Sequence, residues 1–119
     1  MYKQKTGKLF EFSFSAPFII NNKSIELINF SKEYGMLFGL LFQITDDYID
    51  EKKTFKQLGK TPGKDKKQDK STLFKDTRKK EIFDYCNYRI EKFIKTHSKN
   101  MSKYNKLEKI LKFSLDRIN

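Results

Sequence analysis

Apolar positions fall into three long blocks at helical spacing and one short block on a different beat. From about Lys23 to about Lys52, Ile25, Leu27, Ile28 and Phe30 lead into Met36-Leu37-Phe38-Gly39-Leu40-Leu41-Phe42, which predicts a helix with a broad apolar surface. From about Phe74 to Lys95, Ile82, Cys86, Ile90, Phe93 and Ile94 form a stripe. From about Ser102 to Ile118, Tyr104, Leu107, Leu111, Leu115 and Ile118 form another. Both stripes have Lys-rich opposite faces, as outer helices of a bundle do. The short block is Leu9 to Ser15, where Phe10, Phe12 and Phe14 alternate with polar residues, taken alone a strand signal. Asn21-Asn22 predict a loop, and either asparagine suits the cap of the helix that follows. Gly35 and Gly39, four apart, leave a smooth stripe for close approach by a helix or a ligand. Between Lys53 and Lys70 periodicity vanishes, and Leu58-Gly59-Lys60-Thr61-Pro62-Gly63-Lys64-Asp65 reads as a loop. No internal repeat is present.

The chain has 119 residues, one domain or part of one. Its 37% hydrophobic content, its phenylalanines and its few Gly, Pro and Trp favour a packed helical chain over a disordered one. The net charge of +11 comes with a Lys-, Asn-, Ile- and Phe-rich composition typical of AT-rich genomes, which discounts part of it as a functional signal. A basic nucleic-acid-binding module is one reading of the Lys-rich stretch from Lys52 to Lys80. Asp65, Asp69 and Asp76 interrupt that stretch and no aromatic stacking motif is embedded in it, so no nucleic-acid partner is expected. The single Cys86 excludes an internal disulfide and fits a reducing cytosol, where it reads as a small buried hydrophobe. The longest nearly uncharged run, Tyr34 to Thr45, is well short of the ~20 apolar residues a membrane span needs. Lys3, Lys5 and Lys8 before Leu9-Phe10 mimic a signal peptide, but Glu11 interrupts the apolar core and no small-residue cleavage site follows. A soluble, cytoplasmic chain is the expectation.

Candidate chemistry concentrates in Gln43-Ile44-Thr45-Asp46-Asp47-Tyr48-Ile49-Asp50. On a helix, Asp46 and Asp50 stack on one face, Asp47 lies beside them, and Gln43 shares the face of Asp46. Like charges at that spacing cost a helix roughly 0.2–0.5 kcal/mol per pair. A hard divalent cation removes the cost; Mg²⁺ held by one or two carboxylates takes the rest of its shell from water and phosphate. The trio therefore points to a magnesium-bridged diphosphate site, against the plainer alternative of a solvated helix end beside Glu51 and Lys52.

Three landmarks in order carry a resemblance: Lys5-Thr6-Gly7; Phe42-Gln43-x-x-Asp46-Asp47-x-x-Asp50; and Leu58-Gly59-Lys60 followed by Asp65 and Lys70-x-Thr72. Together they resemble the C-terminal half of a trans-isoprenyl diphosphate synthase of the polyprenyl synthetase family, which includes farnesyl and geranylgeranyl diphosphate synthases. The resemblance covers essentially the whole chain, residues 1–119, as a partial domain. It implies an all-α fold, the C-terminal helices of the isoprenoid synthase helical bundle, with Leu9–Ile20 helical despite its alternation and kinked by Pro17.

The implied activity is prenyl transfer: an allylic diphosphate ionises, isopentenyl diphosphate attacks the carbocation, and a proton is lost. By resemblance Asp46 coordinates Mg²⁺ directly, with Asp47 and Asp50 as direct or water-mediated partners. Lys5 and Lys60 grip the allylic diphosphate from opposite sides, and Lys70 matches a further diphosphate-binding position. Thr6 and Gln43 turn oxygens toward the nascent cation. Phe42 reads as core, and His97 as a satisfied surface histidine at a helix end.

The family's first aspartate-rich motif and its isopentenyl diphosphate site of lysine, arginine and histidine are missing from this chain. Phe74 also stands where many members have proline, which puts the path out of the preceding loop in question. Met1 falls just before Lys-Thr-Gly, as a start after a truncation or frameshift would leave it. The expected partners are accordingly an allylic diphosphate and a complementary N-terminal half or a second copy of the chain. The isolated chain is expected to be poorly stable or self-associating, and inactive in prenyl transfer. A catalytically silent partner of a complete synthase is the alternative, disfavoured because Lys5, Thr6, Gln43, Asp46 and Lys60 are all present.

Overall fold

The computed structural model describes the backbone of residues 4–58 and 65–118, and the side chains of residues 5–54 and 77–118. The described residues are helical, with no strand among them: α1 (Gln4–Ile20), α2 (Ile25–Leu58), α3 (Asp65–Thr96), α4 (Ser98–Lys103) and α5 (Lys106–Asp116). The all-α expectation holds.

The alternating phenylalanines of α1 belong to a helix because two of the three share a face. Phe10 and Phe14 are one turn apart and both point at α2: Phe10 meets Phe38 at 4.9 Å and Phe42 at 5.5 Å between ring centres, and Phe14 meets Tyr34 at 5.0 Å. Phe12 is left 67% exposed. Pro17 lies inside the helix. The end of α1 is closed by Asn22 in the left-handed region at φ 53. The Lys23 N–H reaches the Phe18 carbonyl at 3.0 Å and the Asn22 N–H reaches Ile19 at 3.1 Å, the paired bonds of a Schellman motif. Neither asparagine caps α2, contrary to expectation. Ser24 does, its Oγ accepting the Leu27 N–H at 3.3 Å.

Two faces of α2 are apolar, which makes it the central helix. Phe30, Tyr34, Leu37, Leu41, Ile44 and Tyr48 follow a four-three repeat and are all buried, packing with Ile82, Cys86 and Ile90 of α3 and with Met101, Leu111 and Leu115. Gly35 and Gly39 face the other way and let α1 in. A Cβ on Gly35 would stand 2.5 Å from the Phe10 carbonyl oxygen, and one on Gly39 would stand 3.2 Å from the Gly7 Cα. The close approach expected at these glycines is therefore made by a helix. These contacts fix an antiparallel register in which the first turn of α1 lies beside the α2 turn that leads into Gln43.

Three boundaries differ from the expected ones. α2 runs on to Leu58, not to about Lys52, and α3 starts at Asp65, not at about Phe74. Periodicity reports burial, and these stretches have helix-forming Lys and Gln without an apolar stripe to reveal them. Asp65 also opens α3 with a negative charge, where a helix N-terminus favours one. The helix runs through Phe74, so no break occurs where proline stands in many relatives by resemblance. Lastly, the block expected as one helix from about Ser102 is divided at Tyr104-Asn105. There the Tyr104 ring leaves the helical path to pack edge-on to Phe18 of α1, 5.9 Å away.

Tyr34 ties the layers together by donating its hydroxyl proton to the Leu107 carbonyl at 2.7 Å. The molecule measures 63 × 26 × 21 Å, a rod whose length is set by α2 and α3, each about 50 Å at ~1.5 Å per residue.

Candidate functional site

The second half of α2 carries its core seam inward and its acids outward. Ile44, Thr45 and Tyr48 are buried, whereas Asp47 and Asp50 are exposed and Asp46 and Gln43 are half-buried. The amphipathic pattern enforces this: burying the four-three seam leaves residues 43, 46 and 50 on the opposite side of the helix and Asp47 at the seam's margin.

The three acids do not meet in one place. Asp46 turns toward the end of α5, where its Oδ1 lies 3.5 Å from Nη2 of Arg117. Asp47 lines a recess of about 430 Å³ between α2 and α3, together with Glu51, Arg78 and Glu81. Arg78 pairs there with Glu51 at 3.4 Å. Asp50 is solvated on the same face as Asp46, and its carbonyl accepts the Thr54 hydroxyl at 3.1 Å. Among the described residues no group of three or more His, Cys, Asp and Glu side chains converges to cage a metal. Hard, accessible carboxylate oxygens supplied one or two at a time fit a different mode, in which Mg²⁺ keeps water and phosphate oxygens in most of its shell.

Lys5 and Thr6 occupy the first turn of α1, Lys5 exposed and Thr6 half-buried. By the antiparallel register they lie at the same end of the bundle as Gln43, about one turn short of Asp46. Lys60 lies outside the described residues. Lys70 is on the backbone of α3, with its side chain outside the described set.

One residue of this neighbourhood escaped the sequence reading. Arg117 reaches across from the end of α5, stacks its guanidinium 4.5 Å above the Phe42 ring and donates from Nη1 to the buried Thr45 hydroxyl at 3.2 Å. Phe42 is thus half-buried between Phe10 and a cation, not wholly core. The one available signal was scarcity: the chain has three arginines among 26 basic residues.

On the opposite side a groove of about 790 Å³ lies between α2 and α3, bordered by Met36, Tyr85, Tyr88, Arg89 and His97. His97 is half-buried, with Nε2 2.8 Å from Glu33 and its ring 4.4 Å from that of Phe93. It is satisfied, as expected, though less at the surface than its position suggested.

The sequence pattern described as "Polyprenyl synthetase" matches residues 1–111. The chain belongs to the polyprenyl synthetase family. Among its relatives, geranylgeranyl pyrophosphate synthase 4 of Arabidopsis thaliana is 39% identical over 72 residues, which is 60% of this chain and 19% of that protein. Dimethylallyltranstransferase of Fischerella ambigua is 39% identical over 72 residues, 60% of this chain and 21% of that protein. Heterodimeric geranylgeranyl pyrophosphate synthase large subunit 2 of Arabidopsis thaliana is 39% identical over 72 residues, with 60% and 19% coverage. The chain spans about a fifth of the length of these curated relatives. No solved structure matches. Among the described residues no helix is long and apolar enough to cross a membrane.

Proposed function

We propose that this polyprenyl synthetase chain supplies the metal–diphosphate half-site of a prenyltransferase that joins an allylic diphosphate to isopentenyl diphosphate. It corresponds, in this reading, to the C-terminal half of such an enzyme and needs a complementary half for turnover. The observation that carries the reading is the placement of Asp46 and Asp50 within the family-matched segment: they project from one face of a helix that buries Ile44, Thr45 and Tyr48 on its other side.

Asp46, with Asp50 one turn on and Asp47 beside it, offers carboxylate oxygens for Mg²⁺. A Mg²⁺ held there would supply positive charge to offset that of the departing pyrophosphate. Lys5, at the same end of the bundle, adds a fixed cation from α1, and Lys60 and Lys70 add two more from beyond α2. Fixed cations of this kind stabilise leaving-group charge without reorganising as the bond breaks. Thr6 and Gln43 present oxygens to the electron-poor carbon.

The proposed partners are the allylic diphosphate and a complementary half or a second copy. Support for a protein partner comes from relatives whose names describe large subunits of heterodimeric synthases. Other relatives are named as chloroplastic or mitochondrial proteins, so a cytoplasmic location gains no support from kinship.

Titration calorimetry with inorganic pyrophosphate and Mg²⁺ tests the reading. The folded chain is expected to take up the pair, and Asp46→Ala to weaken uptake at least tenfold, the scale of a lost charged contact. No uptake by the unmutated chain, with or without a complementary half, or an unchanged affinity in Asp46→Ala, removes the proposal.

A further inference from the structure

Arg117 is built into the bundle more firmly than a surface cation needs. Thr45, with no solvent exposure, donates its own hydroxyl proton to the Leu41 carbonyl at 2.9 Å and so offers a fixed lone pair to Nη1. The Phe42 face supports the guanidinium from one side, an arrangement favoured by the ring's negative face. Its contact with Asp46, in contrast, is loose. At 3.5 Å it is longer than the 2.7–2.9 Å of a committed charge-assisted hydrogen bond.

A guanidinium has five N–H donors. Among the described residues Arg117 makes one hydrogen bond and one ion pair, and its side chain is 29% accessible. Arg117 also borders a recess of about 260 Å³ with Tyr48, Ile49, Lys52, Lys53 and Ile118, which brings three cationic residues to one opening whose other walls are apolar or aromatic. A planar fork suits phosphate oxygens better than a lysine does, because it can bind two of them at once.

We propose that Arg117, with Lys52 and Lys53 around the same recess, is a diphosphate-gripping residue delivered by the end of α5, pairing with Asp46 until the anion arrives. This rests on the reading of Asp46 as a metal–diphosphate ligand. A diphosphate whose metal Asp46 would hold could be met by the guanidinium, and the loose Arg117–Asp46 pair would open at little cost.

The test uses the full chain and inorganic pyrophosphate, titrated by calorimetry in Mg²⁺, with a parallel titration of Mg²⁺ alone. Arg117→Gln is expected to weaken pyrophosphate uptake roughly tenfold or more, Arg117→Lys to restore part of it, and neither to change the response to Mg²⁺ alone. Unchanged pyrophosphate affinity in Arg117→Gln overturns the grip and leaves the acids' role standing. Equal losses in both titrations overturn it too, reducing Arg117 to a support for Asp46, and tighter uptake overturns it by making Arg117 a competitor of the metal. An unmutated chain that takes up nothing ends both proposals. Phenylglyoxal labelling of the unmutated chain needs no variant to fold. Mg²⁺–pyrophosphate is expected to shield Arg117 and leave Arg89 reactive, and a failure to shield Arg117 overturns the assignment.

Discussion

Cys86 has no solvent exposure, and burial pushes its thiol from an ordinary 9.0 up to about 11, with the nearby Arg89 charge opposing that only in part. Tyr34 is pushed up in the same direction by burial, from an ordinary 10.0. Both groups favour the protonated form in the fold, so at alkaline pH the unfolded chain releases its protons first. With fewer protons bound in the unfolded state, stability falls as pH rises. The Cys86 contribution is intact below about pH 9 and lost progressively toward about 11, and Tyr34 adds its own loss from about pH 10 upward. Urea midpoints measured from pH 8 to 11 are expected to decline, and less steeply in Cys86→Ala. Parallel slopes for the two proteins would contradict a buried thiol. Sequence alone made Cys86 legible as a buried residue because it sits on the α3 stripe. It also made the acid trio legible, since charge on an apolar helix is anomalous by itself. Arg117 was not legible. Its meaning comes from Thr45 and Phe42, more than seventy residues away, and no local pattern encodes that contact.

The fit of α1 against α2 is a property of elements, and Gly35 controls it. A methyl group there meets backbone, the Phe10 carbonyl oxygen at 2.5 Å and the Glu11 Cα at 2.8 Å, so the helices must separate. At Gly39 the nearest atoms are the Gly7 Cα and the Phe10 Cδ2, both at 3.2 Å, so the neighbours must give by only a few tenths of an ångström. Gly35→Ala is therefore expected to destabilise by about 1–3 kcal/mol, the usual range for overpacking, and Gly39→Ala by less. Thermal unfolding followed by circular dichroism ranks them, and the reverse order would mean that the helices do not meet at Gly35. The same pair of elements explains where pattern reading succeeds and fails. Two glycines four apart correctly announced a close approach. The Phe10-Phe12-Phe14 beat gave the wrong element because a helix can bury the first and third and leave the second in water. Helix ends were missed wherever the chain is helical without an apolar repeat, as in the Lys-rich start of α3.

A rod only 21 Å across in its thinnest direction cannot enclose every apolar face of five helices. The side of α1 turned away from α2 shows the consequence. Leu9 is 61% exposed and Phe12 67%, and Ile19 follows on the same stripe at 47%. Spacings of three and seven residues put these side chains on one face, so they form a continuous patch, not scattered surface residues. Contiguous apolar patches beyond a few hundred Å² mark an interaction surface or an aggregation risk. The net charge of +11 opposes association at low ionic strength, and salt screens that repulsion without weakening apolar burial. Two dependences therefore follow together. Sedimentation velocity is expected to show species heavier than the 14.3 kDa chain, increasing with protein concentration and with added salt. Leu9→Lys with Phe12→Lys is expected to return the chain to monomer at the same salt, because it places two charges in the patch without touching the α1–α2 contact. Association that persists in this variant would shift the responsible surface away from α1, to the groove bordered by Met36, Tyr85 and Tyr88. A single 14.3 kDa species at every concentration and salt would mean that the exposed stripe is tolerated in water, and the expectation of self-association would fall with it.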